Sequence, residues 1–297
     1  MSDSSKVSPL GATPVLSSMR YTFHSQEVGA GFVIDICLPP AYLPGDGPWP
    51  VVLVTDGNMG FAAAASTAAI LPLEPGGPQP VCIVGIGYEL SGEGEKAEHL
   101  VLRNRDLTPV RAEEWEMRMR AAPPPFYFGE ELQTGGGERF LDFLENELKP
   151  WLAENLPVDI DDCTLAGTSL GGALALHAMF TRPGAFARIL AISPSLWWAN
   201  DYLVQLEDDF AAGNDDLAAK LYLCVGEAEE AQDPNARMVS NFIAFSDRMV
   251  ARGYPSLAMT AEVLPGETHV SVFNAAISNG LRRLFGAKIN SDVQQLP

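Results

Sequence analysis

Thr164-Leu165-Ala166-Gly167-Thr168-Ser169-Leu170-Gly171-Gly172-Ala173-Leu174-Ala175 runs from an apolar strand-like start, through G-x-S-x-G, into a small-residue stretch of helical character that continues to Phe180. A serine presented for attack needs a tight strand-to-helix turn, so that its hydroxyl stands clear and the next backbone N–H faces a developing oxyanion. The turn is sharp enough for flanking side chains to collide, which accounts for Gly167 and Gly171 on either side of Ser169. Gly172, Ala173 and Ala175 fit a helix that leaves the turn close against a sheet. Chance is the bland alternative in a chain with 27 glycines, and the strand before and helix after weigh against it. Ser169 is therefore the candidate nucleophile.

Upstream, residues 32–38 alternate and stop at Pro39-Pro40, as an antiparallel strand near a sheet edge does. Residues 51–55 and 81–87 are nearly continuous apolar runs, the mark of parallel strands buried on both faces. The alanine-rich stretch 61–71 between them completes a β-α-β unit. Downstream the alternation repeats as helix 138–155, strand 164–166, helix 172–181, strands 189–192 and 221–225, helix 236–252, strand 257–264 and helix 272–285. The prediction is an α/β fold with a mostly parallel central sheet and helices on both faces. Phe140, Leu144, Leu148, Trp151 and Leu152 recur at helical spacing, a core stripe rather than a cofactor box.

With 297 residues, 47% of them hydrophobic, residues 1–297 are expected to form one domain. Residues 1–18 read as a flexible N-terminal segment and 287–297 as a flexible tail. Residues 88–134 are too long for an ordinary connection and read as an insertion over the active site, carrying Gly92, Gly94 and Pro123-Pro124-Pro125. A formal charge of −19 leaves no basic footprint, so neither nucleic acid nor anionic membrane is an expected partner. Residues 1–18 lack an apolar signal core, and no run approaches the length of a membrane span, so the expected location is cytoplasmic. Cys37, Cys82, Cys163 and Cys224 are scattered without a C-x-x-C pair and read as structural thiols. No metal and no cofactor are expected.

A serine nucleophile needs a base. His24 and His177 read as structural, on an early strand and on the helix after the elbow. His269 follows the 257–264 strand and precedes an amphipathic helix, at the carboxyl end of the sheet where chemistry gathers. His99, in the insertion, competes, but the chain order serine, acid, histidine selects His269. The acid belongs after the preceding strand, where Gly226-Glu227-Ala228-Glu229-Glu230 offers Glu227, Glu229 and Glu230, and periodicity does not choose among them. The oxyanion hole needs the N–H of Leu170 and a second from Asp56-Gly57-Asn58, after the 51–55 strand, so Gly57 or Asn58 supplies it.

Together these residues resemble the Putative esterase family of the α/β-hydrolase superfamily, in the branch that includes bacterial enterobactin and salmochelin esterases, and more distantly S-formylglutathione hydrolase. The matching pieces are Val54-Thr55-Asp56-Gly57-Asn58, Arg103-Asn104-Arg105-Asp106-Leu107-Thr108-Pro109, Gly135-Gly136-Gly137, residues 165–172, Ser193-Pro194-Ser195-Leu196-Trp197-Trp198, residues 226–229 and residues 266–273. The resemblance implies an α/β-hydrolase fold, Ser169 as nucleophile, His269 as base, Gly57 and Leu170 as oxyanion donors, and, from the family's Gly-x-x-Glu turn, Glu229 as acid. It also implies a serine carboxylic-ester hydrolase acting on a small-molecule ester through an acyl-enzyme. A siderophore (catecholate trilactone) esterase is the narrower version.

Two further classes share these residues: an acyltransferase that replaces water with an alcohol or amine, and a non-catalytic binding protein on a hydrolase fold. Trp197 and Trp198 offer flat walls for an acyl or aryl group or else serve the core, while Arg103 and Arg105 either fork a substrate anion or form salt bridges to Asp106 and nearby glutamates. Catecholate substrates call for cations, and residues 88–134 hold six Lys and Arg among ten Asp and Glu.

Overall fold

A hairpin of β1 (Met19–Ser25) and β2 (Ala30–Cys37) leads into six further strands of one sheet: β3 (Trp49–Val54), β4 (Cys82–Tyr88), β5 (Val158–Thr168), β6 (Arg188–Ile192), β7 (Ala219–Gly226) and β8 (Leu257–Leu264). The structure, a computed structural model, describes residues 15, 18–40, 46–90, 95–122 and 132–286. The strand order is β1-β2-β4-β3-β5-β6-β7-β8. β2 pairs antiparallel with β1 and β4, and all the other pairings are parallel. β5, which delivers Ser169, thus lies between β3 and β6 near the middle of the sheet.

Period-two geometry explains the continuous apolar runs. Val51 and Leu53 point into one core and Val52 and Val54 into the other, as do Leu221, Leu223 and Val225 against Tyr222 and Cys224. One face is covered by α1 (Gly57–Ile70) and α10 (Val272–Phe285). The other is covered by α4 (Gly137–Phe143), which runs on through a π-helical segment Leu144–Leu148 into α5 (Lys149–Asn155), and by α6 (Leu170–Thr181), α7 (Trp198–Gly213) and α9 (Met238–Arg252). A four-residue α8 (Glu229–Gln232) follows β7.

Within its described residues the 88–134 insertion carries helices that its sequence does not announce. It contains α2 (Glu95–Asp106) and α3 (Glu113–Arg120). Neither shows an apolar stripe because the side chains they bury are polar: His99, Asn104 and Asp106 on α2, and Glu116 on α3. On α7 the buried Glu207, at 0% exposure, interrupts the apolar face of Leu203, Leu206 and Phe210 and sits inside a cluster with Arg248, Arg252 and Tyr254. Gly92, Gly94, Pro123-Pro124-Pro125, the 287–297 tail and all of residues 1–17 except Val15 lie outside the described residues.

All four cysteines are buried and unpaired, and burial pushes the Cys163 and Cys224 thiols up to about 12. Among the described residues no helix is long and apolar enough to cross a membrane.

Candidate active site

Ser169 sits at φ 60° and ψ −114°, a backbone conformation that side chains rarely adopt and that surrounding contacts must hold. Its N–H donates to Ile192 O at 2.9 Å, and its carbonyl accepts from Ala173 N at 2.9 Å and Ser195 N at 3.1 Å. The elbow is pressed against the end of β3: a Cβ on Gly171 would lie 2.3 Å from Thr55 Oγ1. Glycine at this position is thus a matter of space.

α1 and α6 leave the carboxyl ends of neighbouring parallel strands, so their N-termini open on one edge of the sheet. Gly57 and Leu170 are the first residues of those helices, and first-turn N–H groups have no acceptor within the helix. Both are therefore oriented to receive negative charge. The turn before Gly57 is fixed by Asp56 at φ 55°, whose carbonyl accepts from Met59 and Gly60. Asn58 spends its side chain on the backbone of Tyr88, donating from Nδ2 to the carbonyl at 3.0 Å and accepting the N–H at 2.6 Å. Its side chain is thus committed to the end of β4.

The Asp56 carboxylate is forked by Arg103 through Nε and Nη2, each at 2.8 Å. Arg105 forks Asp106 at 2.7 and 2.8 Å. With side chains only 13% and 25% exposed, the two arginines take the salt-bridge alternative, and Arg103 braces the turn that presents Gly57. His99, the competing base, is buried 3.7 Å from Asp56, and burial holds its pKa down. His177 is also buried, between Glu138 at 2.5 Å and Tyr202 at 3.1 Å.

Glu229 is the glutamate that meets His269. Its Oε2 lies 2.6 Å from His269 Nδ1, while Oε1 accepts from Ser193 Oγ at 2.5 Å and Gly226 N at 2.7 Å. Burial at 2% exposure pushes the carboxyl up, but the hydrogen bonds from His269, Ser193 and Gly226 outweigh it and hold the group below the ordinary carboxylate value. Glu227 turns to the Gly266 N–H at 2.9 Å, and Glu230 accepts from Ser240 N and Oγ, both at 2.6 Å, in the first turn of α9. Gly226 permits the close crossing of the two loops, since a Cβ there would sit 2.4 Å from Glu267 O. The His269 side chain is 39% exposed, open to the solvent side of the site. In this resting geometry Ser169 Oγ bonds Ser195 Oγ at 3.2 Å, and no hydrogen bond among the described residues joins it to His269. Catalytic contacts of this kind often tighten only when substrate binds.

Beyond Ser195 the chain enters a cleft of about 570 Å³ lined by Trp115, Trp197, Arg118, Glu113, Glu114 and Arg111 among others, with Arg111 paired to Glu113 and Glu116. The Trp115 and Trp197 rings lie 5.3 Å apart, with the Arg118 guanidinium 4.7 Å from the Trp115 ring. Trp198, expected as a second wall, is instead core: it is 1% exposed and donates from Nε1 to Val110 O at 3.0 Å. Trp115 takes the place beside Trp197. Its only signal in the sequence is a lone aromatic within Glu113-Glu114-Trp115-Glu116.

The strand order, the serine elbow after β5 and the helix layers define a hydrolase of the α/β-hydrolase fold. Within it, the chain belongs to the family described as Putative esterase, whose model matches residues 25–284, and it is an ester hydrolase. The ferri-bacillibactin esterase BesA of Bacillus subtilis is 29% identical over 247 residues, covering 82% of this chain and 81% of its own. The siderophore triacetylfusarinine C esterase of Aspergillus fumigatus is 29% identical over 303 residues, covering 92% and 95%. Among solved structures, the BES protein from Bacillus cereus superposes with a TM-score of 0.78 at 28% identity, covering 95% of this chain and all (100%) of its own. An IroE-like serine hydrolase from Shewanella oneidensis gives 0.75 at 26%, covering 90% and 80%.

Proposed function

We propose that this chain hydrolyses carboxylic esters of siderophores through an acyl-enzyme on Ser169, with His269 as general base and acid and Glu229 as the group that orients it. The observation that carries the reading is the buried Glu229 carboxylate 2.6 Å from His269 Nδ1, on the loops beside the serine elbow. Ser169 Oγ attacks the ester carbonyl carbon as its proton passes to His269 Nε2, and Glu229 stabilises the imidazolium. The carbonyl oxygen, now an anion, is held by the N–H groups of Leu170 and Gly57. Collapse expels the alcohol, which takes the proton from His269. Water then repeats the sequence on the acyl-serine and restores the enzyme.

The substrate class is supported by the relatives, since the Bacillus subtilis and Aspergillus fumigatus proteins are both named as esterases of siderophores or their iron complexes. The Trp115 and Trp197 walls suit a large, flat ligand, with the Arg118 guanidinium stacked beside them. The test is a substrate panel: iron-loaded and iron-free siderophore esters against p-nitrophenyl acyl esters of graded length. A kcat/KM about 100-fold or more above the simple esters for one siderophore ester is the expected result. Equal or better turnover of short acyl esters across the panel would overturn the substrate assignment while leaving the ester chemistry intact.

A further inference from the structure

Two serines of the turn after β6 touch the two ends of the triad proposed above. Ser193, at 0% exposure, donates from Oγ to Glu229 Oε1 at 2.5 Å. The Gly226 N–H reaches the same oxygen at 2.7 Å, so Oε1 is saturated and Oε2 is the oxygen left for His269. Two residues on, Ser195, at 1% exposure, sets its Oγ 3.2 Å from Ser169 Oγ and donates its N–H to the Ser169 carbonyl. The turn is tied down on both sides, by Ser193 N on Cys224 O at 2.7 Å and by Ser169 N on Ile192 O at 2.9 Å. Ser193 holds φ 42°, a conformation that glycine adopts freely and serine does not. A glycine there would relieve the backbone and lose the hydroxyl, and the chain keeps the hydroxyl.

We propose that Ser193 is a positioning residue that locks the Glu229 carboxylate with Oε2 toward His269, and that Ser195 is a fourth catalytic residue that donates to Ser169 Oγ during attack. The inference rests on the Ser169, His269 and Glu229 reading. A carboxylate free to rotate presents its oxygens to the imidazole in a range of orientations, whereas two donors on Oε1 leave one. The nucleophile has one proton and two lone pairs. In the attacking geometry the proton goes to His269 Nε2, one lone pair goes to the carbonyl carbon and the other accepts from Ser195, which keeps its own proton throughout. Ser195 then favours the rotamer in which the Ser169 proton points at the base.

The experiment compares Ser193→Ala, Ser193→Gly and Ser195→Ala with wild type, measuring kcat and KM from acid to neutral pH. Rates are normalised to sites titrated with a fluorophosphonate, and each variant is melted in parallel. Both Ser193 variants are expected to lose about 10- to 100-fold in kcat with KM held within about twofold. Their acidic limb in kcat/KM moves to higher pH, because a carboxylate with one donor fewer is a more negative partner for the protonated imidazole. The glycine variant removes the backbone strain and so reports on the hydroxyl even if the alanine variant fails to fold. Ser195→Ala is expected to lose about 3- to 10-fold in kcat with the limb in place. Wild-type turnover per titrated site in the Ser193 variants, or a loss accompanied only by a lower melting temperature with an unmoved limb, overturns the Ser193 role, and wild-type kcat in Ser195→Ala overturns the other. Glu229→Gln and His269→Ala run alongside. If they stay active the triad reading itself fails, and if they are inactive while the serine variants match wild type, this inference alone fails.

Discussion

Replacing Glu229 by glutamine exchanges one carboxylate oxygen for an amide nitrogen in the partner of His269. The amide oxygen can still accept from Ser193 Oγ and Gly226 N, so those two donors pull it into the Oε1 position. The amide nitrogen is then left where Oε2 was, 2.6 Å from His269 Nδ1, and two N–H donors face each other. The imidazole escapes by carrying its proton on Nε2 instead, and that tautomer cannot accept the proton of Ser169. The equivalent carboxylate-to-amide change in a serine protease triad costs about 10⁴ in kcat. With His269 at 39% exposure, solvent offers some relief, so the expected loss is about 10³ to 10⁴, or about 4 to 5.5 kcal/mol of transition-state stabilisation. Glu227→Gln keeps an acceptor for Gly266 N–H and should hold kcat within about threefold. Glu230→Gln keeps its contacts to Ser240 and should leave kcat unchanged. The assay is ester hydrolysis at saturating substrate, normalised to titrated serine. A loss at Glu227 or Glu230 as large as that at Glu229, or a drop below tenfold at Glu229, would refute the assignment.

A Cβ on Gly57 would lie 2.7 Å from backbone atoms of Gly85 and Ile86, so Gly57→Ala must displace the oxyanion turn; kcat should fall about 10²- to 10³-fold together with the melting temperature. Arg103→Ala leaves the Asp56 carboxylate buried without its fork, and denaturant unfolding should register about 3 to 5 kcal/mol of lost stability, with equal activity losses on neutral and anionic esters. Trp115→Ala and Trp197→Ala should raise KM for bulky aromatic esters while kcat/KM for acetyl esters stays within about twofold, measured side by side. Because Glu229 titrates below the ordinary carboxylate value of 4.5 when folded, its contribution to stability is present above pH 4.5 and is lost as pH falls from there through the folded value. Unfolding midpoints from pH 6 to pH 3 should therefore decline more steeply in wild type than in Glu229→Gln.

The sheet was legible because its strands are apolar on both faces or alternate cleanly, so residues 51–55, 81–87 and 221–225 could be nothing but buried strands. α2 and α3 were hidden for the opposite reason. Each buries charge: Asp106 beside Arg105, Glu116 under Arg111 and Arg120. A helix whose inward face is a satisfied ion pair has no hydrophobic period to read. Ser169 and His269 were legible from their positions at strand ends. The choice among Glu227, Glu229 and Glu230 depends on which way each side chain leaves the turn after β7 and the four-residue helix that follows it, which spacing does not encode. Arg103 was ambiguous because its partner lies 47 residues earlier, and the Ser193 contact to Glu229 spans 36. Pairings across such distances belong to the folded sheet edge, where the ends of β3, β6 and β7 bring them together.

The proposed chemistry stands on Ser169 forming the covalent acyl-enzyme with His269 as its base. Rapid acid quench of the enzyme with a slowly deacylating ester, followed by intact mass and peptide mapping, tests it directly. The expected result is one acyl group per chain on the Ser169 peptide, no adduct in Ser169→Ala, and acylation slowed about 10⁴- to 10⁶-fold in His269→Ala. An adduct on another residue, or near-wild-type ester hydrolysis by Ser169→Ala, would contradict it.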